Sequence, residues 1–166
     1  MIFHACKAGG AICDETGRGG DQPEESNEIT KFTRKDASLR STKPQDFQIR
    51  IKIFQARQLD GNNINPMCRV RCHNVHRYTK TMRSTNSPYW DEVFFFNFNA
   101  SPADLFEQSI EFQVYNALQF RSDALIGSFK LDIGYVYDEP KHSLICKWLL
   151  LGDTEDCMSG AKGYLK

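Results

Sequence analysis

The stretch Phe47-Gln48-Ile49-Arg50-Ile51-Lys52-Ile53 alternates strictly between apolar and polar side chains. Successive side chains of a strand point to opposite faces, so this period of two predicts a strand with one face buried and the other in water. A second run places Phe94, Phe96 and Phe98 on one face in the same way. Together the two runs predict a domain built from half-buried β-strands.

Strand-like segments continue toward the end of the chain, at residues 69–73, 110–115, 128–133, 147–151 and 163–166. Turn residues separate them, as in Asn86-Ser87-Pro88. Only residues 102–108 indicate a helix, and there Ser101 is placed to cap a single turn. Several short strands with almost no helical periodicity predict an all-β, antiparallel sandwich or barrel.

Residues 1–45 differ from the rest because they carry glycine pairs, charges of both signs and few large apolar side chains. Such a segment cannot bury enough surface to offset its chain entropy. We therefore expect a disordered leader over residues 1–45 and one folded domain over residues 46–166. If residues 163–166 pair with the first strand, the final strand is truncated at a weak sheet edge, as in a fragment or short isoform.

The composition narrows the possible functions. The 166 residues include 21 Lys and Arg against 21 Asp and Glu, so no net charge directs the chain to nucleic acid. No apolar run approaches the roughly 20 residues that span a bilayer, and the first residues lack the apolar segment of a signal peptide. No catalytic triad, phosphate-binding loop or paired metal-ligand motif can be assembled. We expect a cytosolic protein that is not an enzyme and takes no small-molecule substrate.

The order of the segments resembles the C2 domain family. Thr85-Asn86-Ser87-Pro88-Tyr89-Trp90-Asp91-Glu92 resembles the Thr-x-Asn-Pro-x-Trp-Asn-Glu signature before an aromatic strand. Asn65-Pro66-Met67-Cys68-Arg69-Val70 stands where the family usually has Asp-Pro-Tyr-Val-x-Val. No strand-like run precedes Phe47, so the order resembles the type II permutation. The resemblance implies an eight-stranded antiparallel C2 β-sandwich of type II topology.

Five segments narrow the resemblance to ferlins, and over residues 45–166 they are similar to the second C2 domain of that family. These segments are Gln45–Arg50, Gln58–Ile64, Asp132–Tyr137, Lys147–Leu149 and Gly163–Lys166. The resemblance implies a cytosolic module, peripheral to the membrane, of a tail-anchored protein in a vesicle or the plasma membrane. It also implies a role in vesicle trafficking, membrane fusion and membrane repair.

In calcium-binding C2 domains, aspartates on apical loops hold the ion. The positions where the resemblance places these ligands hold amides or hydrocarbon instead, at Asn65, Asn116, Leu118 and Ala124. Only Asp60 and Asp123 remain as acids near them. Calcium takes six to eight oxygen ligands, and clustered carboxylates supply its charge balance. We therefore predict a calcium-independent domain without a cofactor.

A run of basic residues without any carboxylate lies between residues 67 and 83, at Arg69, Arg71, His73, Arg77, Lys80 and Arg83. The alternation of Arg69, Arg71 and His73 predicts that they share one strand face. In some C2 domains the equivalent strands hold anionic lipid headgroups, and each cation near an anionic leaflet contributes about 1 kcal/mol. Two interpretations stay open: a lipid-binding basic face, or a solvated face of the sheet.

The third loop carries a possible membrane-inserting tip at Leu118, Phe120 and Arg121. Apolar residues beside arginine can wedge into the headgroup region, or they can fold back onto the sandwich. The leading hypothesis is calcium-independent docking on anionic phospholipid. The alternatives are a module that packs against other domains of a larger chain or a partner protein, and a calcium-dependent phospholipid sensor.

Overall fold

A computed structural model describes residues 4–7, 42–118, 122–153 and 160–166. Within these ranges the chain forms nine strands and two short helices. The strands are β1 His4–Lys7, β2 Gln45–Arg57, β3 Pro66–Cys72, β4 Val75–Tyr78, β5 Tyr89–Ala100, β6 Ser109–Asn116, β7 Ala124–Asp132, β8 Leu149–Leu151 and β9 Gly163–Leu165. The helices are α1 Pro102–Phe106 and α2 Ile133–Asp138, and a 3-10 turn follows at Pro140–His142.

Strands β2 to β9 form two antiparallel sheets packed face to face. In one sheet β8 pairs with β9, β9 with β2, and β2 with β5. In the other the order is β4-β3-β6-β7. Each sheet therefore has four of these eight strands, which confirms the predicted all-β antiparallel sandwich.

The core lies between the sheets and follows the alternation seen in the sequence. Phe47, Ile49, Ile51 and Ile53 of β2 are each 4% exposed or less. They pack in one cluster with Phe112 of the opposite sheet. Burying an apolar side chain of this size contributes about 1.5–3 kcal/mol, so this row alone is a large part of the stability.

The two helices lie at the ends of strands. Ser101 accepts a hydrogen bond from the backbone N–H of Asp104 at 3.1 Å, which confirms the predicted single capped turn. The strand prediction for Ile133 is wrong because this residue begins α2, where it is buried together with Val136. No helix among the described residues is long and apolar enough to cross a bilayer.

Strand β1 lies within the segment for which the composition predicts a disordered leader. It pairs with residues 47–50 of β2, so the expectation that no strand precedes Phe47 is not met at these four residues. The other edge of β2 is taken by β5, and β1 therefore shares its edge with β9, which pairs with residues 56–57. Leader residues 1–3 and 8–41 lie outside the described part of the chain.

The glycine that opens β9 yields a stability prediction. Gly163 has φ +135°, and a Cβ there would lie 2.9 Å from Leu59 Cδ2 and 3.1 Å from the carbonyl oxygen of Arg57. We expect Gly163→Ala to lower the free energy of unfolding by about 1–3 kcal/mol, measured by urea denaturation. Gly160→Ala is the control, since a Cβ there meets no atom within 4 Å. Equal stability of the two variants would show that the backbone at Gly163 accommodates a Cβ without strain.

Candidate functional site: the basic sheet face and the apical loops

Strand β3 places two of the predicted cations on the outer face of the β4-β3-β6-β7 sheet. Arg69 and Arg71 alternate with buried residues of the core, and the cross-strand register brings Arg71 opposite Glu111 and Glu111 opposite Lys130. Arg71 Nε lies 3.1 Å from Glu111 Oε2, and Lys130 Nζ lies 3.9 Å from Glu111 Oε1. The carboxylate of Glu111 thus lies between two cations, and the three aligned side chains together carry a net positive charge.

Arg69, the other arginine on the outer face of β3, contacts neutral groups. Its Nε donates to Gln113 Oε1 at 2.7 Å, and its Nη2 donates to the hydroxyl of Tyr115 at 2.6 Å and to Gln113. Its guanidinium lies 5.0 Å from the centroid of the Tyr115 ring. Burial raises the pKa of Tyr115 while the Arg69 charge opposes that rise, and the protonated phenol donates to Gln113 at 3.0 Å. Among the described residues Arg69 makes no ion pair, so its charge is held in place but not neutralised.

The remaining predicted basic residues lie elsewhere. His73 is in the turn after β3, with φ +52°, and its ring Nδ1 lies 2.9 Å from Gln108 Oε1. Arg77 is paired with buried Val70 and therefore projects on the inner side, where its guanidinium lies 5.7 Å from the Phe96 ring centroid. Lys80 and Arg83 are in the connection between β4 and β5. Of the six predicted basic residues, only Arg69 and Arg71 share the outer face.

Lys130 is a member of this face that the sequence pattern did not reveal. Its side chain is 63% exposed, and the β6–β7 register aligns it with Glu111 and Arg71. The available signal was its position on the polar side of the alternation in residues 128–133, together with the expectation that consecutive strands pair. We call Arg69, Arg71, Glu111 and Lys130 the basic sheet face.

At one end of the sandwich, Asn65 connects three loops. Its Oδ1 accepts the backbone N–H of Ser84 at 3.0 Å, and its Nδ2 donates to the carbonyl oxygen of Ala117 at 3.4 Å. The Oδ1 of Asn116 in turn accepts the backbone N–H of Asn65 at 2.9 Å. The two amides at predicted calcium positions are therefore used as hydrogen-bonding groups that hold the loops together.

The two residual acids near these loops are also engaged. Asp60 Oδ2 lies 3.3 Å from Lys162 Nζ, and Asp123 Oδ1 accepts the backbone N–H of Leu118 at 3.2 Å. Ala124, at the start of β7, is exposed and supplies no ligand. Throughout the part of the chain that the structure describes, no group of three His, Cys, Asp or Glu residues is arranged to hold a metal ion.

The predicted membrane-inserting tip is described only in part. Leu118 is 38% exposed, and with Arg83 and Asn65 it lines an open cleft of about 420 Å³ between the loops. Phe120 and Arg121 lie outside the described residues. Their predicted insertion stays a prediction.

The buried thiols of β3 offer no reactive group. Cys68 and Cys72 are both free and buried. Burial raises the pKa of each thiol to about 12, so both are protonated at neutral pH.

The family is shown by comparison with known proteins. The C2 domain family model matches residues 47–151. The chain therefore belongs to the C2 domain family.

Within that family it is a ferlin-type C2 domain. The chain is 50% identical over 133 residues to myoferlin of Xenopus tropicalis and 51% identical over 127 residues to human myoferlin. These matches cover 80% and 76% of this chain but only 7% and 6% of the relatives. The chain thus corresponds to one small part of those much longer proteins.

Solved structures show the same fold at low sequence identity. The tandem C2 domains of Extended-Synaptotagmin 2 match with a TM-score of 0.58 and 20% identity, covering 89% of this chain and 46% of that one. A C2 domain of plant Extended Synaptotagmin 1 matches with a TM-score of 0.54 and 22% identity, covering 71% of this chain and 88% of that one.

The hydrogen bonds of Asn65 can be tested by substitution. In Asn65→Ala the N–H of Ser84 loses its acceptor and the carbonyl of Ala117 its donor, and we expect a loss of about 1–3 kcal/mol in the free energy of unfolding. The matched control is Asn62→Ala, at an exposed residue of the first loop for which the structure shows no side-chain hydrogen bond. Thermal and urea unfolding that do not distinguish the two variants would show that the Asn65 amide does not hold the loops.

Proposed function

We propose that this chain is a non-catalytic C2 module that docks on anionic phospholipid through the basic sheet face, without calcium. The observation that carries the proposal is the charge of that face: Arg71 and Lys130 flank the carboxylate of Glu111, and Arg69 adds a third cation that contacts only neutral groups. The cations of Arg71 and Lys130 are largely in solvent, where headgroup phosphates can reach them. The proposed location is the cytosolic surface of a membrane.

The electrostatic gain from this face is modest. Two net positive charges contribute about 2 kcal/mol near an anionic leaflet. At physiological salt, charges are screened over about 8 Å, so binding should weaken as salt increases. An isolated domain of this kind binds weakly. A module within a longer, membrane-attached protein meets the bilayer at high effective concentration. We therefore propose that the domain acts as one contact among several in a tail-anchored ferlin-like protein of vesicle trafficking, membrane fusion or repair.

Vesicle sedimentation tests the basic sheet face. We expect the double variant Arg69→Gln/Arg71→Gln to bind vesicles of phosphatidylcholine and phosphatidylserine on the order of thirtyfold more weakly than wild type, because it loses two charges. Glu111→Gln should bind about fivefold more tightly, because it removes the negative charge between Arg71 and Lys130. The control is Arg77→Gln/Lys141→Gln, which loses the same charge away from that face.

The same measurement separates the competing functions. Equal weakening by the control pair would show that the whole surface attracts the membrane without a defined face. No vesicle binding by wild type at low salt would exclude the lipid proposal and favour docking on another domain or protein instead.

Calcium independence is tested by titration calorimetry. We expect no heat of calcium binding at micromolar concentration, because Asn65 and Asn116 bring no negative charge and the carboxylate of Asp60 lies beside Lys162. The positive control is Asn65→Asp/Asn116→Asp/Ala124→Asp, in which restored carboxylates should produce measurable binding. Tight calcium binding by the wild-type chain would show instead a calcium-dependent sensor.

A further inference from the structure

A second exposed surface lies on the outer face of the opposite sheet. The register of β8, β9 and β2 places Leu150 opposite Tyr164 and Tyr164 opposite Arg57. Trp148 and Lys166 lie beside this row. The exposed fractions are 51% for Leu150, 39% for Trp148 and 38% for Tyr164. We call Arg57, Trp148, Leu150, Tyr164 and Lys166 the Trp148 face.

Two cations are held against the indole of this face. The Arg57 guanidinium lies 5.1 Å and the Lys166 ammonium 5.3 Å from the Trp148 ring. The structure shows no carboxylate side chain paired with either cation among the described residues. An open cleft of about 330 Å³ is lined by Arg57, Gln58, Trp148 and Tyr164, and none of these residues is acidic. The cleft thus combines apolar rings with positive charge for which the described residues supply no acidic side chain as counterion.

We propose that the Trp148 face binds an acidic peptide segment of a protein partner, with one apolar side chain of that segment seated between Trp148 and Tyr164. A carboxylate next to this anchor residue pairs with Arg57, whose planar guanidinium accommodates both carboxylate oxygens. Trp, Tyr and Arg are the residue types that dominate the energetics of protein interfaces. The charge of the cleft selects acidic partners over basic ones.

A protein segment fits this face better than a bilayer does. Tyr164 stands on β9, and Trp148, directly before β8, is flanked by two cations, so the two rings do not project as a loop tip that could enter the headgroup layer. The face also belongs to the sheet opposite the basic sheet face. A domain lying on a membrane through Arg69 and Arg71 therefore leaves the Trp148 face open to a protein.

Peptide selection on the full chain tests the proposal even though the partner is not identified. A random-peptide phage library is selected on wild type and counter-selected on Trp148→Ala, a substitution at an exposed position that leaves the core intact. We expect the retained peptides to carry Asp or Glu next to Leu, Phe or Pro. Retained peptides that are basic, or none that distinguish the two proteins, would overturn the proposal.

Affinity measurements on a selected peptide then locate its contacts. In titrations followed by backbone NMR, shifts should cluster at Arg57, Gln58, Trp148 and Tyr164. Arg57→Gln should weaken binding by about ten- to hundredfold, the effect of losing a hydrogen bond to a charged group. The control Tyr89→Phe, at an exposed aromatic residue outside the cleft, should leave the affinity within about twofold of wild type.

The lipid measurements are independent of this result. Failure of vesicle binding leaves the peptide site intact, and failure of peptide binding leaves the basic sheet face intact. If vesicles of phosphatidylcholine and phosphatidylserine, rather than peptides, shift the resonances of Trp148 and Tyr164, the face is a membrane contact and the proposal is wrong.

Discussion

The burial of one apolar row on β2 is the constraint on which the rest of the structure depends. Residues 47–53 bury every second side chain, and the same strand pairs with β5 along most of its length. Its other edge receives β9 near the apical loops and β1 further down. If the pairing slipped by one residue, the buried side chains of β2 would face the solvent. The packing of this row therefore fixes the register of the strands that pair with β2. The position of the Trp148 face follows from the pairing of β2 with β9.

The sequence predicts the fold well where side chains alternate over a whole strand, as in β2 and β5. It fails at short elements. Ile133 and Val136 are three residues apart, and two apolar positions cannot distinguish the end of a strand from one turn of a helix. Strand β1 was missed for another reason. Its four residues are paired through backbone hydrogen bonds to an available edge of β2, and such pairing requires no apolar pattern in the strand itself.

The basic sheet face could be predicted from the sequence only in part. Alternation holds only while a strand lasts, so it correctly joins Arg69 and Arg71 but not His73, where the backbone turns at φ +52°. The turn resets the pattern, and Arg77 then projects on the inner side. Lys130 joins the face from a strand far away in the chain, and only the pairing register reveals it. Composition finds the charges, but strand pairing decides which of them act together.

The hydrogen bonds of the apical loops support the proposal that the binding surfaces of this domain lie on its sheets. A carboxylate at position 65 could accept the N–H of Ser84 but could not donate to the carbonyl of Ala117, and a cluster of such acids needs a cation to offset their repulsion. The amide of Asn65 makes both hydrogen bonds while remaining neutral. The amide at this predicted calcium position therefore supplies a contact that orders the loops. Both proposals therefore place anionic partners on the sheets, at Arg69 on one sheet and at Arg57 on the other, whose charges have no acidic side chain as partner among the described residues.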